Sequence, residues 1–401
     1  MIAETTSRRL ALSTAVLVVI GGVTALAGDV SDQGSGGIAS GVLRPSAIVA
    51  SRYVAPDGSI KANVAITLSG GKIKSVGPAK RLAVTEGVVR HEGAVICPGL
   101  IDVRSKIGAF GQLIERAHSI DPAASAVDSL DRNHRDFRAA LRSGVTTAVL
   151  SPGDNNLISG VAVVVKTAGL EGAILRDDGP LMLALGSTVW QYDRAPTSRI
   201  GSLTMLRHVL DDARRGQGHK RITDFVQGRL SGMVVCDEPM DVSAALRTLG
   251  SGDAKFSIVH NSDEHSLADE LSGSGRIVIV GPYTFSMPQR RLSVASALSS
   301  AGVTVAFAGG MPVRSGDGLR VTATLAVLNG MDSAAARRAM TITPARVAGV
   351  DDRVGAIRVG MDADFVVFSD DPLRLDSAVL AVYVDGLRVY HADADPIEGS
   401  R

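Results

Sequence analysis

Two cationic residues, Arg104 and Lys106, are separated by one position in a short segment that reads as a β-strand. A strand points alternate side chains to the same face, so the guanidinium and the ammonium are expected side by side. A guanidinium binds a carboxylate or phosphate through paired hydrogen bonds, and an ammonium acts as a point charge. The pair predicts a site for a small anion; the alternative is ion pairing with Asp102, Asp237 or Glu238.

Acidic and imidazole side chains elsewhere could support acid–base or metal chemistry. His260 ends one apolar run, and Asp237 and Glu238 follow another. Together with His265 they offer nitrogen and oxygen donors that could jointly bind one metal ion. The alternative for His260 is a hydrogen-bonded packing residue. The candidate catalytic residues are therefore His260 and Asp237, and the candidate ligand-binding residues are Arg104, Lys106 and Glu238, with no assigned metal ligand.

β-Branched runs alternate with turn residues in two segments near the ends of the chain. The first segment contains the runs 47–50, 63–68 and 72–77, and the second contains 365–368 and 381–390. Gly70-Gly71 between two of these runs is typical of an antiparallel hairpin. We predict one small β-sandwich domain composed of both ends, residues 46–96 plus 354–392.

Short apolar runs alternate with amphipathic stretches in the middle of the chain. Strands are predicted at 146–150, 233–235, 257–259, 277–280 and 303–307, and helices include 131–143 and 291–301. Repeated strand and helix units imply an α/β fold with a parallel sheet, and a closed TIM-type barrel over residues 97–353 is the natural form at this length. An open doubly wound sheet is the structural alternative, although no glycine-rich dinucleotide fingerprint follows a strand.

Composition limits the choice of partners. The 401 residues suffice for one barrel-sized domain and a small accessory domain. A net charge of +1 is too small to attract the protein to nucleic acid or to an anionic membrane, so we expect neither as a partner. Binding specificity is therefore expected to come from a local site. Cys97 and Cys236 are the only cysteines and are predicted to be two separate buried thiols, with one disulfide as the alternative.

The amino terminus has the layout of a signal peptide. Arg8 and Arg9 precede a run from Leu10 to Leu26 that is nearly all apolar or small, and Ala25-Leu26-Ala27 offers a cleavage site. We predict a signal peptide at 1–27, a linker at 28–45 and a periplasmic or secreted mature protein. A twin-arginine signal and an uncleaved membrane anchor are the alternatives.

Several motifs resemble one enzyme family. Pro98-Gly99-Leu100-Ile101-Asp102 after a β-segment is similar to the first barrel strand of the amidohydrolase superfamily. The segments 144–147, 151–160, 184–186, 195–201, 343–346 and 355–365 are similar to its imidazolonepropionase-related branch. The resemblance covers nearly the whole exported chain. It implies an α/β barrel with a composite β domain, and metal-assisted hydrolysis of C–N bonds other than peptide bonds.

The resemblance also implies that most metal ligands are replaced. Arg104 and Lys106 stand where the family has a His-x-His pair, and neither cation has a lone pair for a metal. The stretch 235–238 stands at a second histidine motif and keeps only oxygen or sulfur donors. Gly310 stands where the family has an aspartate late in the barrel. Among the family's metal-ligand positions, His260 is the one that retains a ligand-type residue.

Two functional hypotheses follow from this pattern. The first is a non-catalytic or weakly active homologue that binds a small anionic ligand without a cofactor, either as a homo-oligomer or in complex with an active relative. The second is a hydrolase that works through a remodelled site at the same barrel mouth, where zinc would enter only if that site is rebuilt.

Overall fold

The computed structural model describes residues 44–84, 86–168, 173–260, 262–263 and 267–393. The predicted signal peptide and all but residues 44–45 of the predicted linker lie outside these ranges. Within them, no helix combines the length and the apolar character needed to cross a membrane.

One seven-stranded sheet combines strands from both ends of the chain. Its strands are β1 (Ala47–Val54), β2 (Ile60–Ser69), β3 (Lys72–Pro78), β4 (Val88–Pro98), β15 (Phe365–Phe368), β16 (Val379–Val384) and β17 (Leu387–His391). Their order is β17-β16-β15-β4-β1-β2-β3. The two ends meet where β15 pairs antiparallel with β4, with Phe365 opposite Pro98 and Phe368 opposite Val95. The domain limits given above stay predictions.

The two faces of this sheet bury different clusters, because successive side chains of a strand point in opposite directions. Along β4, Ile96 joins a small core with Tyr383 and Phe365, whose rings stack with centroids 4.9 Å apart. Val95 and Cys97 on the same strand join the large core that fills the middle of the chain. One face of the sheet therefore attaches it to the rest of the fold.

Seven further strands run parallel to their neighbours. They are β5 (Leu100–Ser105), β6 (Val145–Leu150), β10 (Leu181–Leu185), β11 (Ser231–Cys236), β12 (Lys255–His260), β13 (Val278–Val280) and β14 (Val305–Phe307). β5 pairs with β6, and β10 to β14 pair in sequence order. Between β6 and β10 the chain forms β7 (Ile158–Val161), β8 (Val163–Lys166) and β9 (Ile174–Arg176). β8 pairs antiparallel with β6, and β7 with β10.

The first and last of the parallel strands meet at their carboxyl ends. The Lys106 N–H donates to the Met311 carbonyl at 2.8 Å. The Asp102 carboxylate accepts the N–H groups of Gly309 and Met311 at 2.9 and 3.3 Å. The last parallel strand, β14, therefore lies next to the first, β5. The fold is α/β of the TIM-barrel class with a multi-stranded sheet beside it, as predicted.

Helices connect these strands. They are α1 (Asp136–Arg142), α2 (Arg199–Arg214), α3 (Lys220–Val226), α4 (Pro239–Leu249), α5 (Ala268–Ser272), α6 (Gln289–Leu292), α7 (Val294–Ser300), α8 (Gly318–Leu328), α9 (Ser333–Ala339) and α10 (Ile342–Ala348), with short 3-10 helices at Ala79–Arg81, Ala126–Ser129 and Ser187–Val189.

Two predicted helices differ from the observed ones. The helix predicted from residue 131 begins only at Asp136, because the Asp131 carboxylate accepts the Asn133 N–H at 2.9 Å and holds a turn. The helix predicted over 291–301 is divided into α6 and α7 at Ser293. Its hydroxyl donates to the Arg290 carbonyl at 3.1 Å and so competes with the helical hydrogen bonds.

Both cysteines are buried and unbridged, which confirms the prediction of two separate thiols. Burial raises the pKa of each thiol well above its ordinary range. Neither side chain is therefore suited to act as a thiolate near neutral pH.

Candidate functional site

The predicted site residues lie at or just beyond the carboxyl ends of the parallel strands. Arg104 is near the end of β5 and Lys106 follows that strand, Asp237 and Glu238 follow β11, and His260 ends β12. Because these strands run in one direction, their carboxyl ends open onto one face, which we call the barrel mouth.

A pocket of about 230 Å³ lies at the barrel mouth, between loops that follow β5, β6, β13 and β14. Five of its lining residues carry the arguments below: Arg104, Lys106, Asp154, Val313 and Arg314. We call this cavity the mouth pocket. It contains both predicted cations and neither of the predicted catalytic residues.

Arg104 is paired with a carboxylate that the sequence did not indicate. Its Nη2 contacts Asp154 Oδ2, and both side chains are about one quarter exposed, at 23% and 27%. The expected partners were Asp102, Asp237 and Glu238. Asp154 takes this place because the loop after β6 folds over the end of β5.

Lys106 and Arg314 bring two more positive charges to the mouth pocket. Both residues are exposed, and neither forms an ion pair with any residue that the structure describes. Three cations therefore line the pocket together with one carboxylate, that of Asp154. The charged side chains that line the pocket therefore carry a net positive charge.

Asp102 lies beneath this pocket and ties β5 to the 309–311 loop. It is fully buried and accepts three backbone N–H groups, from Arg104, Gly309 and Met311. Burial raises the pKa of Asp102 to about 6, against the lowering effect of these hydrogen bonds.

The raised pKa predicts a pH-dependent contribution to stability. The folded protein holds the Asp102 proton up to about pH 6, whereas the unfolded chain releases it near pH 3.8. The stabilising contribution is therefore complete below pH 3.8 and lost as the pH rises through 6. Over pH 4 to 7.5 in urea unfolding, the native protein should lose roughly 2–3 kcal/mol more stability than Asp102→Asn, in which the other titrating groups remain.

The test compares how the free energy of unfolding changes with pH. A destabilisation by the substitution that is the same at every pH therefore does not affect the result. Exposed Asp352→Asn serves as the control and should follow the native curve. Parallel curves for the native protein and Asp102→Asn would contradict the prediction.

Position 310 has little room for a side chain. Gly310 has a φ of 73°, which L side chains rarely adopt, and a Cβ there would come within 2.9 Å of Pro282 Cγ. An aspartate at this position would require the 281–283 loop or the backbone of 310 to move.

Asp237 lies close to other carboxylates. Burial, followed by the charges of Asp241, Asp154 and Glu238, raises the pKa of Asp237, and a hydrogen bond from the Thr188 backbone opposes the shift. Its Oδ2 is buried without a hydrogen-bond partner among the described residues. This unpartnered oxygen could accept a hydrogen bond, but Asp237 does not line the mouth pocket.

Glu238 marks the start of α4 instead of lining the pocket. Its N–H donates to Asp241 Oδ2 at 2.9 Å, and Pro239 occupies the first helical position. Asp241 also contacts Arg199. These contacts explain Glu238 as a helix-capping residue.

His260 is buried, with 2% exposure, and its Nε2 lies 3.0 Å from Ser262 Oγ. It stands beside Cys236 in the parallel register of β12 and β11. It is not among the residues that line the mouth pocket. His265 lies outside the described residues. In the part of the chain that the structure does describe, no three His, Cys, Asp or Glu side chains are grouped to hold a metal ion.

Comparison with known proteins agrees with this fold. A family model described as "Amidohydrolase family" matches residues 323–390. Amidohydrolase tasK of Hapsidospora irregularis is 22% identical over 380 residues, which cover 79% of this chain. Both matches are to amidohydrolases, and the chain is similar to that superfamily. It spans only 38% of the length of that curated relative.

Solved amidohydrolase structures share the architecture of this chain. The amidohydrolase from Thermotoga maritima MSB8 is 23% identical with a TM-score of 0.75, covering 86% of this chain and 100% of its own. Molinate hydrolase is 16% identical with a TM-score of 0.56, covering 86% and 94%. At these identities the likeness establishes the fold alone.

Two residues of the mouth pocket were not predicted from the sequence. Asp154 lies in the loop between β6 and β7, and no motif in the sequence linked it to Arg104. Arg314 follows the 308–312 stretch and carries no motif. Only the folded chain brings them to Arg104, which is 50 positions from one and 210 from the other in the sequence.

Proposed function

We propose that this chain is an exported amidohydrolase-superfamily protein that binds a small anion in the mouth pocket and has lost the family's ordinary metal-assisted hydrolysis. The observation that carries the proposal is the pocket's excess of positive charge. Lys106 and Arg314 have no ionic partner among the described residues, and Arg104 shares the pocket with them. Assembly with a second copy or with an active relative remains a separate hypothesis.

The chemistry of the replaced positions supports the loss of metal-assisted hydrolysis. A guanidinium and an ammonium donate hydrogen bonds and offer no lone pair to a metal. Gly310 lacks both the carboxylate and the space for one. The residues present therefore do not fit a metal centre of the family's kind.

The same residues can hold a carboxylate or phosphate. Arg314 and Lys106 would donate charge-assisted hydrogen bonds to its oxygens. Arg104 would contribute through its remaining N–H groups, because its contact with Asp154 involves one terminal nitrogen. Such hydrogen bonds contribute about 1.5–3 kcal/mol each when they involve charged groups.

Calorimetric titration with inorganic phosphate at low ionic strength tests the proposal. The protein should bind one phosphate, and Lys106→Ala and Arg314→Ala should each weaken binding by about tenfold or more, since 1.4 kcal/mol corresponds to tenfold. Lys80→Ala removes an exposed cation outside this pocket and should leave the affinity unchanged.

Two results would reject the proposal. One is the absence of phosphate binding, or binding that Lys80→Ala weakens as much as the pocket variants do. The other is a stoichiometric zinc centre in the purified protein together with hydrolysis of cyclic amides.

The second candidate function, a hydrolase with a remodelled site, is favoured by Asp237. Its raised pKa and unpartnered Oδ2 suit a general base that takes a proton from water. A general base alone contributes about 10²–10⁴-fold, so weak hydrolysis that Asp237→Asn abolishes would support this candidate.

A further inference from the structure

The mouth face of the barrel carries an unusual share of exposed apolar side chains. Among the described residues, ten large hydrophobic side chains are exposed, and six of them follow the carboxyl ends of parallel strands. These six, which we call the apolar rim, are Phe110, Tyr192, Ile200, Met240, Phe285 and Val313. Single exposed apolar residues are ordinary, so the members of the apolar rim that matter here are those beside the mouth pocket.

The apolar rim reaches the mouth pocket itself. Val313 lines the pocket and is nevertheless 83% exposed, and it directly precedes the pocket cation Arg314. Phe285 is 67% exposed and lies three residues after Pro282, which also lines the pocket. A ligand bound by the cations would therefore meet the apolar side chains of Val313 and Phe285 where it extends out of the pocket.

The pocket wall is itself of mixed character. Besides the charged groups, its lining includes Pro152, Pro282, Ala308 and Met311. At about 230 Å³ the pocket is smaller than the clefts of roughly 300–1,000 Å³ that hold drug-sized ligands, so a small ligand suits it. A carboxylate with a short hydrocarbon chain fills such a volume, and a longer chain continues over Val313.

We propose that the ligand of the mouth pocket is an amphiphilic anion, a carboxylate whose acidic group is bound by Lys106 and Arg314 and whose hydrocarbon chain packs against Val313 and Phe285. This inference rests on the proposed anion-binding function and adds the class of ligand. A second copy of the chain is a poorer occupant of the same face, because two mouth pockets with excess positive charge would repel each other.

The dependence of affinity on chain length tests this inference. Calorimetric titration with acetate, butyrate, hexanoate and octanoate should give a dissociation constant that decreases roughly two- to fourfold for each added methylene between acetate and hexanoate. Val313→Ser and Phe285→Ser should each reduce this dependence, and Phe285→Ser, whose residue does not line the pocket, should leave phosphate and acetate affinity within about twofold of the native value. Val313→Leu should preserve it.

Leu328→Ser is the matched control, since Leu328 is 72% exposed at the end of α8 and does not line the pocket. Phosphate binding without any dependence on chain length would overturn the amphiphile inference and leave the proposed function standing. Loss of binding to phosphate and to every carboxylate would overturn both. A chain-length dependence that Val313→Ser and Phe285→Ser do not change would also overturn the inference, as would self-association that these variants abolish without such a dependence.

Discussion

Replacement of Lys166 by methionine is expected to lower the free energy of unfolding by about 3–5 kcal/mol. The Lys166 ammonium, 2% exposed, lies 2.9 Å from Asp362 and 3.0 Å from Asp364 and also contacts Asp385. Methionine keeps much of the volume but leaves these carboxylates without their central cation. Asp364 suffers most because it is fully buried, and burial already raises its pKa to about 6.

The position of Lys166 makes the effect global. It ends β8 beside the barrel strands, whereas Asp364 precedes β15 and Asp385 lies in the turn between β16 and β17. The buried ion cluster therefore joins the barrel to the sheet. Removal of the Lys166 ammonium should therefore destabilise the barrel and the seven-stranded sheet together.

Urea unfolding of the variants measures this effect. Lys72→Met is the matched control, because Lys72 also contacts Asp362, at 2.7 Å, but is 54% exposed and should contribute at most about 1 kcal/mol. Equal effects of the two substitutions would contradict the central role of Lys166.

A second large effect is expected for Gly99→Ala, which should destabilise the protein by about 3 kcal/mol or prevent folding. A Cβ at position 99 would lie 1.9 Å from Thr146 Oγ1 and 2.8 Å from Thr146 Cβ. Thr146 is buried on β6, so the clash would separate β6 from β5. Rotation of the threonine side chain does not relieve it, because the Cβ itself is too close.

A double-mutant cycle tests the steric cause. Thr146→Gly should be destabilising alone but should recover much of the stability lost in Gly99→Ala. Gly77→Ala is the control, since a Cβ there meets no atom within 4 Å and β3 is an edge strand. Simple additivity of the two substitutions would show that the cost of Gly99→Ala has another origin.

The sequence predicted the elements of the fold better than their contacts. The first barrel strand was expected at Pro98-Gly99-Leu100-Ile101-Asp102 from a family resemblance, and the structure has β5 there at Leu100–Ser105. Local patterns determine such strands because their side-chain periodicity reflects burial. The pairing of Arg104 with Asp154 depends on the path of a loop 50 positions away, and no periodicity encodes it.

The candidate site shows the same division. Arg104 and Lys106 do share one pocket, because residues two apart in an extended segment face the same side. Glu238 could have been recognised as a helix start from Pro239 and Asp241, a capping pattern present in the sequence. Arg314 carried no such signal, and only the folded loop brings it to the pocket.

The pairing of β4 with β15 has a consequence for biosynthesis. A nascent chain that has emerged through β4 can form the parallel contact with β1, but the opposite edge of β4 stays unpaired until residues 365–368 have been made. That edge carries Val95, Ile96 and Cys97, an apolar segment of the kind that associates with other chains. More than 260 further residues must therefore be synthesised after β4 before this strand edge is shielded.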